Sequence, residues 1–367
     1  MREIEVKNMA KHEARLGIEA RDYQRLNMKE NEIEKWEDSH RTNCNKYEYE
    51  WWYFDSKLFD GSSLVIDFFP TSLLNHKGRV KPNGMIRYTK PDGTVINDEF
   101  RLPKEMATFG KEHCSVRIGE NYIEGDLQNY KIKYKTDKIE AEVELIGRVP
   151  SWRPATGHIF FDEEKYFAWF PSVPSGSVKA TIKYDGKTEV LEGYGYHDHN
   201  WGNAPMFYLL HHWYWGRAKI GDYDVISSYI TCQKKYGYKH VMVFMLAKDG
   251  KIISENLANP DYFQTEPEYD PVVRKHFHKK ITYHYYASDA EYRITYQMKE
   301  HLEHFNLKDA MNRKLVDFLL MVNRLDPSYS RFGGDITLEK IVDGEIVEKI
   351  TAPGMWELMY FDKDKDV

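Results

Sequence analysis

A mainly β chain, built as antiparallel sandwich or barrel domains, is what this sequence predicts, and three observations carry the prediction. Short runs rich in Tyr, Phe, Val, Ile and Trp, which suit a pleated and half-buried surface, recur from Tyr47 to Phe361. Polar turns such as Pro91-Asp92-Gly93, Gly119-Glu120-Asn121 and Asp185-Gly186 separate them. Helical character is confined to a charged N-terminal arm and one stretch in the second half.

Residues 1–40 are rich in Glu, Lys and Arg, with scattered apolar residues and an interrupting Gly17, and read as a charged, peripheral helical arm. Residues 47–55 and 63–69, with Gly61 between them, read as a hairpin-like unit. Strands follow at 84–90, 94–101, 113–119, 122–127, 130–137 and 139–149. The stretch from Trp152 to Gly176 contains Pro154, Pro171 and Pro174 and reads as an ordered crossover loop. A hairpin over 177–194 leads into the middle of the chain, and the domain boundary is placed near residue 190. This gives the arm 1–40, an N-terminal β domain 41–190 and a C-terminal β domain 191–367. Strands continue at 223–231 and 238–247, before a polar, Asn/Pro-rich region at 256–271, and return at 280–287 and 291–299. Leu302, Phe305, Met311, Leu315, Phe318, Leu319, Val322 and Leu325 form one apolar stripe at helical spacing, which predicts a helix over 301–325. Strands at 334–342, 346–351 and 354–361 close the sheet.

Composition narrows the function. The chain has 367 residues, 41% apolar and 30% charged, with a net charge of −6 and no basic block, which argues against nucleic acid as a partner. Its three cysteines form no C-x-x-C pair, so neither a disulfide framework nor a cysteine zinc site is expected. No apolar run approaches a membrane span and no secretory leader is recognisable, so the expected location is cytoplasmic. G-x-S-x-G, P-loop, G-x-G-x-x-G and H-E-x-x-H motifs do not occur.

The chemistry concentrates in Gly193-Tyr194-Gly195-Tyr196-His197-Asp198-His199-Asn200-Trp201-Gly202. In an extended segment, alternate residues share a face. Tyr194, Tyr196, Asp198 and Asn200 then lie on one side, and Gly195, His197, His199 and Trp201 on the other. Three readings are open. The polar groups satisfy buried backbone; or His197 and His199, with His211 or His212, hold zinc; or Asp198 and His199 handle protons in an aromatic pocket. The third fits most features, and no metal is expected. Trp51, Trp52, Trp201, Trp213 and Trp215 would wall that pocket and offer π-faces to developing positive charge. Glu50, among aromatic rings, is expected to have a raised pKa, and Arg217 to pair with Asp198 or Glu50.

Glu50-Trp51-Trp52-Tyr53-Phe54, Val173-Pro174-Ser175-Gly176, the Gly193–Gly202 stretch and Trp213-Tyr214-Trp215-Gly216-Arg217-Ala218 together resemble the carotenoid hydratase (hydroxyneurosporene synthase, AttH-like) family. That family is similar in turn to kievitone hydratase and the fungal decalin Diels–Alderases. The resemblance implies two lipocalin-like β domains, a ligand pocket near their junction and cofactor-independent chemistry on an apolar, isoprenoid- or polyketide-like small molecule. The expected activity is hydration of a C=C bond. Asp198 or His199 would supply the proton, Trp201, Trp51 and Tyr196 would stabilise the cation, and His197 or Asn200 would hold the water. A pericyclase or cyclase, and a non-catalytic carrier of apolar ligands, are the alternatives.

Overall fold

The computed structural model describes residues 12–255, 261–287, 289–307 and 325–364. Among them the strands form two antiparallel sheets, one of 13 strands and one of nine. The first uses every strand up to Lys187–Gly202, and the second begins at Leu210–Ile220. The chain therefore changes sheets between Gly202 and Leu210, while residue 190 falls inside the Lys187–Gly202 strand.

Both sheets curl, because side chains from strands far apart in the sheet order meet inside. Tyr134, on the Asn129–Lys135 strand, donates to the carbonyls of Gly84 and Asp98 on the opposite wall, at 3.3 and 3.1 Å. In the second sheet Tyr229 stacks on Tyr262, with ring centroids 3.8 Å apart. Each curl encloses its own apolar core, the first around Trp52, Phe54, Ile66 and Tyr134, the second around Tyr283, Ile294, Phe332 and Trp356. A third core, with Trp169, Tyr196, Leu210, Ile226 and Ile230, glues the two sheets together. The alternation of the strands assigns residues to these layers. Along Tyr49–Leu58, Trp52 and Phe54 fill the first curl while Trp51 and Tyr53 turn toward the second sheet.

Four expectations are corrected. The arm is not peripheral over its described part: Ala14–Leu16 pairs with His158–Phe161, and Asp22, Glu37 and Asp38 are buried. Arg15 neutralises Asp22, and Arg153 neutralises Glu37 at 2.7 Å, which allows a charged sequence to enter the interior. The proline-rich stretch contains His158–Phe161 and most of a 20-residue strand, Lys165–Tyr184. Its register breaks between Phe170 and Val173 and again between Val173 and Gly176, so Pro171 and Pro174 sit where the ladder is already interrupted. The polar region contains an edge strand, Asp261–Asp270, where Pro267 is tolerated because one side of an edge needs no donor. The expected helix over 301–325 does not start at His301, since Glu291–Asn306 is one strand; residues 308–324 lie outside the described residues. No helix among the described residues is long and apolar enough to cross a membrane.

Candidate active site

The Lys187–Gly202 strand lies between Tyr49–Leu58 and Lys165–Tyr184, in the middle of the first sheet. Its two faces meet different surroundings. Tyr196, Asp198 and Asn200 point to the second sheet, whereas His197 and His199 point into the first curl.

Asp198 is the centre of the outward face. It is 6% exposed, and its carboxylate accepts from three side chains: Trp169 Nε1 at 2.8 Å and Tyr196 Oη at 2.7 Å on Oδ2, and Asn200 Nδ2 at 2.6 Å on Oδ1. Burial pushes its pKa up, and the hydrogen bonds from Tyr196 and Trp169 with the charge of His197 pull it back, leaving it at about 6. Burial also drives the Tyr196 phenol well above its usual value. Around this carboxyl is a cavity of about 100 Å³, walled by Trp51, Tyr53, Phe167 and Trp169 from one sheet and Trp213, Trp215, Ile230 and Glu357 from the other. Tyr53, Trp215 and Glu357 also line an adjoining cleft of about 400 Å³, which reaches Arg217, Arg331 and Trp356. The indole N–H of Trp215 is buried and has no partner among the described residues, so it is a donor in the wall that a ligand can use. Asp67 stands opposite Tyr53 in the sheet; burial, then the charge of Asp198, pushes its carboxyl well above the ordinary range. Two buried carboxyls with raised pKa values, Asp67 and Asp198, thus stand close enough to feel each other's charge.

The inward face carries a closed ionic network. His199 Nε2 is 2.9 Å from Glu50 Oε1, and its ring stacks on Trp52 at 4.5 Å. His197 lies 3.1 Å from Asp38 Oδ2 through Nε2 and 2.8 Å from the Tyr53 carbonyl through Nδ1. Tyr130 donates to the same Asp38 oxygen at 2.5 Å, and Nδ1 of His199 rests 3.5 Å from the other, an electrostatic contact without a hydrogen bond. Burial alone would raise both carboxyls, but the imidazoles outweigh it and hold Asp38 and Glu50 below the ordinary carboxylate range. Burial would likewise lower His197, and Asp38 reverses it.

The structure divides the residues singled out in the sequence. Trp51, Tyr196, Asp198, Asn200, Trp213 and Trp215 gather at the cavity and its wall. His197, His199, Glu50 and Trp52 are enclosed in the first curl on the far side of the strand, and Trp201 packs there with Ala168 and Phe170. Glu50 has a lowered rather than a raised pKa because His199 and His40 oppose its burial and Thr42 donates to it. Arg217 pairs with Asp55, not with Asp198 or Glu50, because both side chains face the cleft. His211 and His212 stand on the second sheet, away from His197 and His199, so the zinc set read from the sequence does not form. Among the described residues, Asp38, Cys114 and His197 cluster at metal-ligand distances, as do Asp270, His301 and His304. In the first group Asp38 is already engaged, and burial keeps the Cys114 thiol well above its usual pKa, hence protonated and a poor ligand. Trp169, Asp67, Glu357 and Asp38 were not among the site residues expected from the sequence. Asp67 alone carried a local signal, a lone carboxylate inside Leu64-Val65-Ile66-Asp67-Phe68-Phe69.

Two curled antiparallel sheets with an aromatic, carboxylate-bearing chamber between them define a lipocalin-like pocket protein. The chain belongs to the Diels-Alderase-like family, whose model matches residues 2–308. It is 29% identical over 179 residues to the quinolone epoxide rearrangement protein penF of Penicillium thymicola, covering 46% of each chain. It is 42% identical over 212 residues to a hydroxyneurosporene dehydrogenase of Chlorobaculum tepidum, covering 53% of this chain and 46% of that one. The chain thus spans about half the length of these curated relatives, 46% in both cases. Among solved structures, CghA superposes with a TM-score of 0.63 at 14% identity, covering 88% of this chain and 90% of that one. Kievitone hydratase from Nectria haematococca gives 0.54 at 10% identity, covering 90% and 94%. At such identities the likeness establishes the fold.

Proposed function

We propose that the protein is a cofactor-independent enzyme that converts an apolar small molecule by acid–base chemistry, with water addition to a C=C bond as the reaction. The observation that carries this reading is the Asp198 carboxyl, buried among indoles and phenols with a pKa of about 6. At pH 7 about a tenth of such a group is protonated, enough to act as an acid and to be regenerated as a base. The Asp198 proton goes to one alkene carbon, whose π pair forms the new C–H bond. The cation left on the other carbon lies against the faces of Trp51, Trp213 and Trp215. Water adds through a lone pair and returns its extra proton to Asp198, so the carboxyl ends as it began. General acid catalysis supplies about 10²–10⁴-fold; positioning and the fixed dipoles of Tyr196, Asn200 and Trp169 must supply the rest.

A second reading, rearrangement or cyclisation, is favoured by one specific feature. Both Asp198 oxygens are already met by donors, and Trp215 offers another, a layout suited to holding a folded substrate by hydrogen bonds. The name of penF, a quinolone epoxide rearrangement protein, points the same way, and that of kievitone hydratase toward water addition. Incubation with polyene substrates in ¹⁸O-water separates the two. Label in the product supports hydration; an isomeric product without label supports cyclisation. No turnover of any apolar polyene would leave the enzyme reading without support.

A further inference from the structure

The cleft beside the cavity shows what one end of its ligand must be, an inference that rests on reading this cleft as the substrate's seat. Four cations line it, Lys57, Arg217, Lys219 and Arg331, against two carboxylates, Asp55 and Glu357. Asp55 takes Arg217, and Asp224 lies 3.3 Å from Lys219. Arg331 is different. Its Nε donates to the Tyr329 hydroxyl at 3.0 Å, and among the described residues no carboxylate comes within ion-pair distance of its guanidinium.

Its strand neighbours are carboxylates, yet both are committed elsewhere. Glu303, opposite on one side, reaches across to Arg87 of the first sheet at 2.6 Å. Glu357, opposite on the other, accepts from Tyr329 at 2.9 Å and from Trp213 at 3.3 Å. Tyr329 therefore donates to Glu357 while accepting from Arg331, which fixes Nε; among the described residues the paired Nη groups have no protein acceptor. A half-buried guanidinium in this state feels the Glu357 charge without pairing to it, and a planar oxyanion meeting its fork would gain a bidentate, charge-assisted contact. The chain carries a net charge of −6, so a locally cationic cleft inverts the surrounding potential and draws an anion inward. The neighbouring walls are apolar: Val65, Ala352, Pro353, Met355 and Trp356.

We propose that Arg331 anchors a carboxylate at one end of an otherwise apolar substrate, whose tail runs past Trp356 toward Tyr53 and Trp215. The probes are laurate and dodecanol, equal in chain length and different in charge, measured by calorimetry against the full chain at low salt. The expected result is laurate bound at least ~10-fold more tightly, one bidentate charge-assisted contact, with that preference abolished in Arg331→Gln. Arg331→Lys, which keeps the charge and loses the fork, should keep part of the preference, and it serves where Arg331→Gln fails to fold. Equal binding of the two probes would overturn the inference and leave the cleft reading standing. A laurate preference that survives in both variants would also overturn it, pointing to Lys57 instead. Binding of neither probe would remove the cleft reading and this inference together.

Discussion

Replacing Asp198 by Asn tests the chamber without needing a substrate. The carboxyl is 6% exposed, and its pKa rises from the ordinary 3.8 to about 6. A carboxyl with a folded pKa above its unfolded one binds its proton more tightly in the fold. It therefore favours folding below about pH 4, and that advantage is lost as pH climbs through about 6. At about 1.4 kcal/mol per pH unit, a rise of that size is worth about 3 kcal/mol. Asn has the same shape and no titration, so the stability of wild type relative to Asp198→Asn should fall by about 2.5 kcal/mol between pH 4 and pH 7.5. Urea unfolding of both proteins at a series of pH values reads the difference directly. A difference flat to within ~0.5 kcal/mol would mean that water reaches this carboxyl, and would refute the desolvated chamber on which the acid chemistry depends. Under the hydration reading the same variant should also lose ~10²–10⁴ in turnover, while a purely shape-driven cyclase would lose little.

Three further outcomes follow from the geometry. Trp169→Phe removes an N–H that stabilises the Asp198 anion, so the carboxyl should titrate above about 6, which ¹³C NMR of the labelled side chain would reveal; an unmoved midpoint would discount that hydrogen bond. His199→Phe leaves Glu50 buried without its imidazole and should cost about 3–5 kcal/mol in urea unfolding, with less than ~1 arguing that the network is ornamental. Gly193→Ala would place a Cβ 2.3 Å from the Lys57 carbonyl oxygen, on backbone that cannot swing away. A loss of at least ~1–3 kcal/mol is expected, and a neutral result would refute the tight pairing of these two strands.

The alternation along Tyr196–Trp201 was legible because a strand has a period of two, and it sorted Asp198 from the two imidazoles correctly. Which side would face a cavity was not legible, since that depends on the second sheet docking against one surface of the first. The imidazoles therefore looked catalytic, while their partner Asp38 was hidden in a segment whose charges read as solvated. Trp169 was hidden for another reason. Prolines two and five residues further on argue against a strand, and only the bulges between Phe170 and Gly176 let that strand continue. The aromatic content and turn spacing announced the β class clearly, and the polar stretch before Pro271 shows where they stop informing: an exposed edge strand has little need of apolar residues.

Asp198 owes its raised pKa to burial by both sheets at once, for Trp51 and Trp169 wall it from one and Trp213 and Trp215 from the other. Any excursion that parts the halves and admits solvent would return this group to an ordinary, ionised aspartate. Proton-donating power is then a property of the docked pair, absent from either half alone. Under the proposed acid chemistry, an apolar ligand that bridges the seam would switch on its own catalyst by keeping the seam dry.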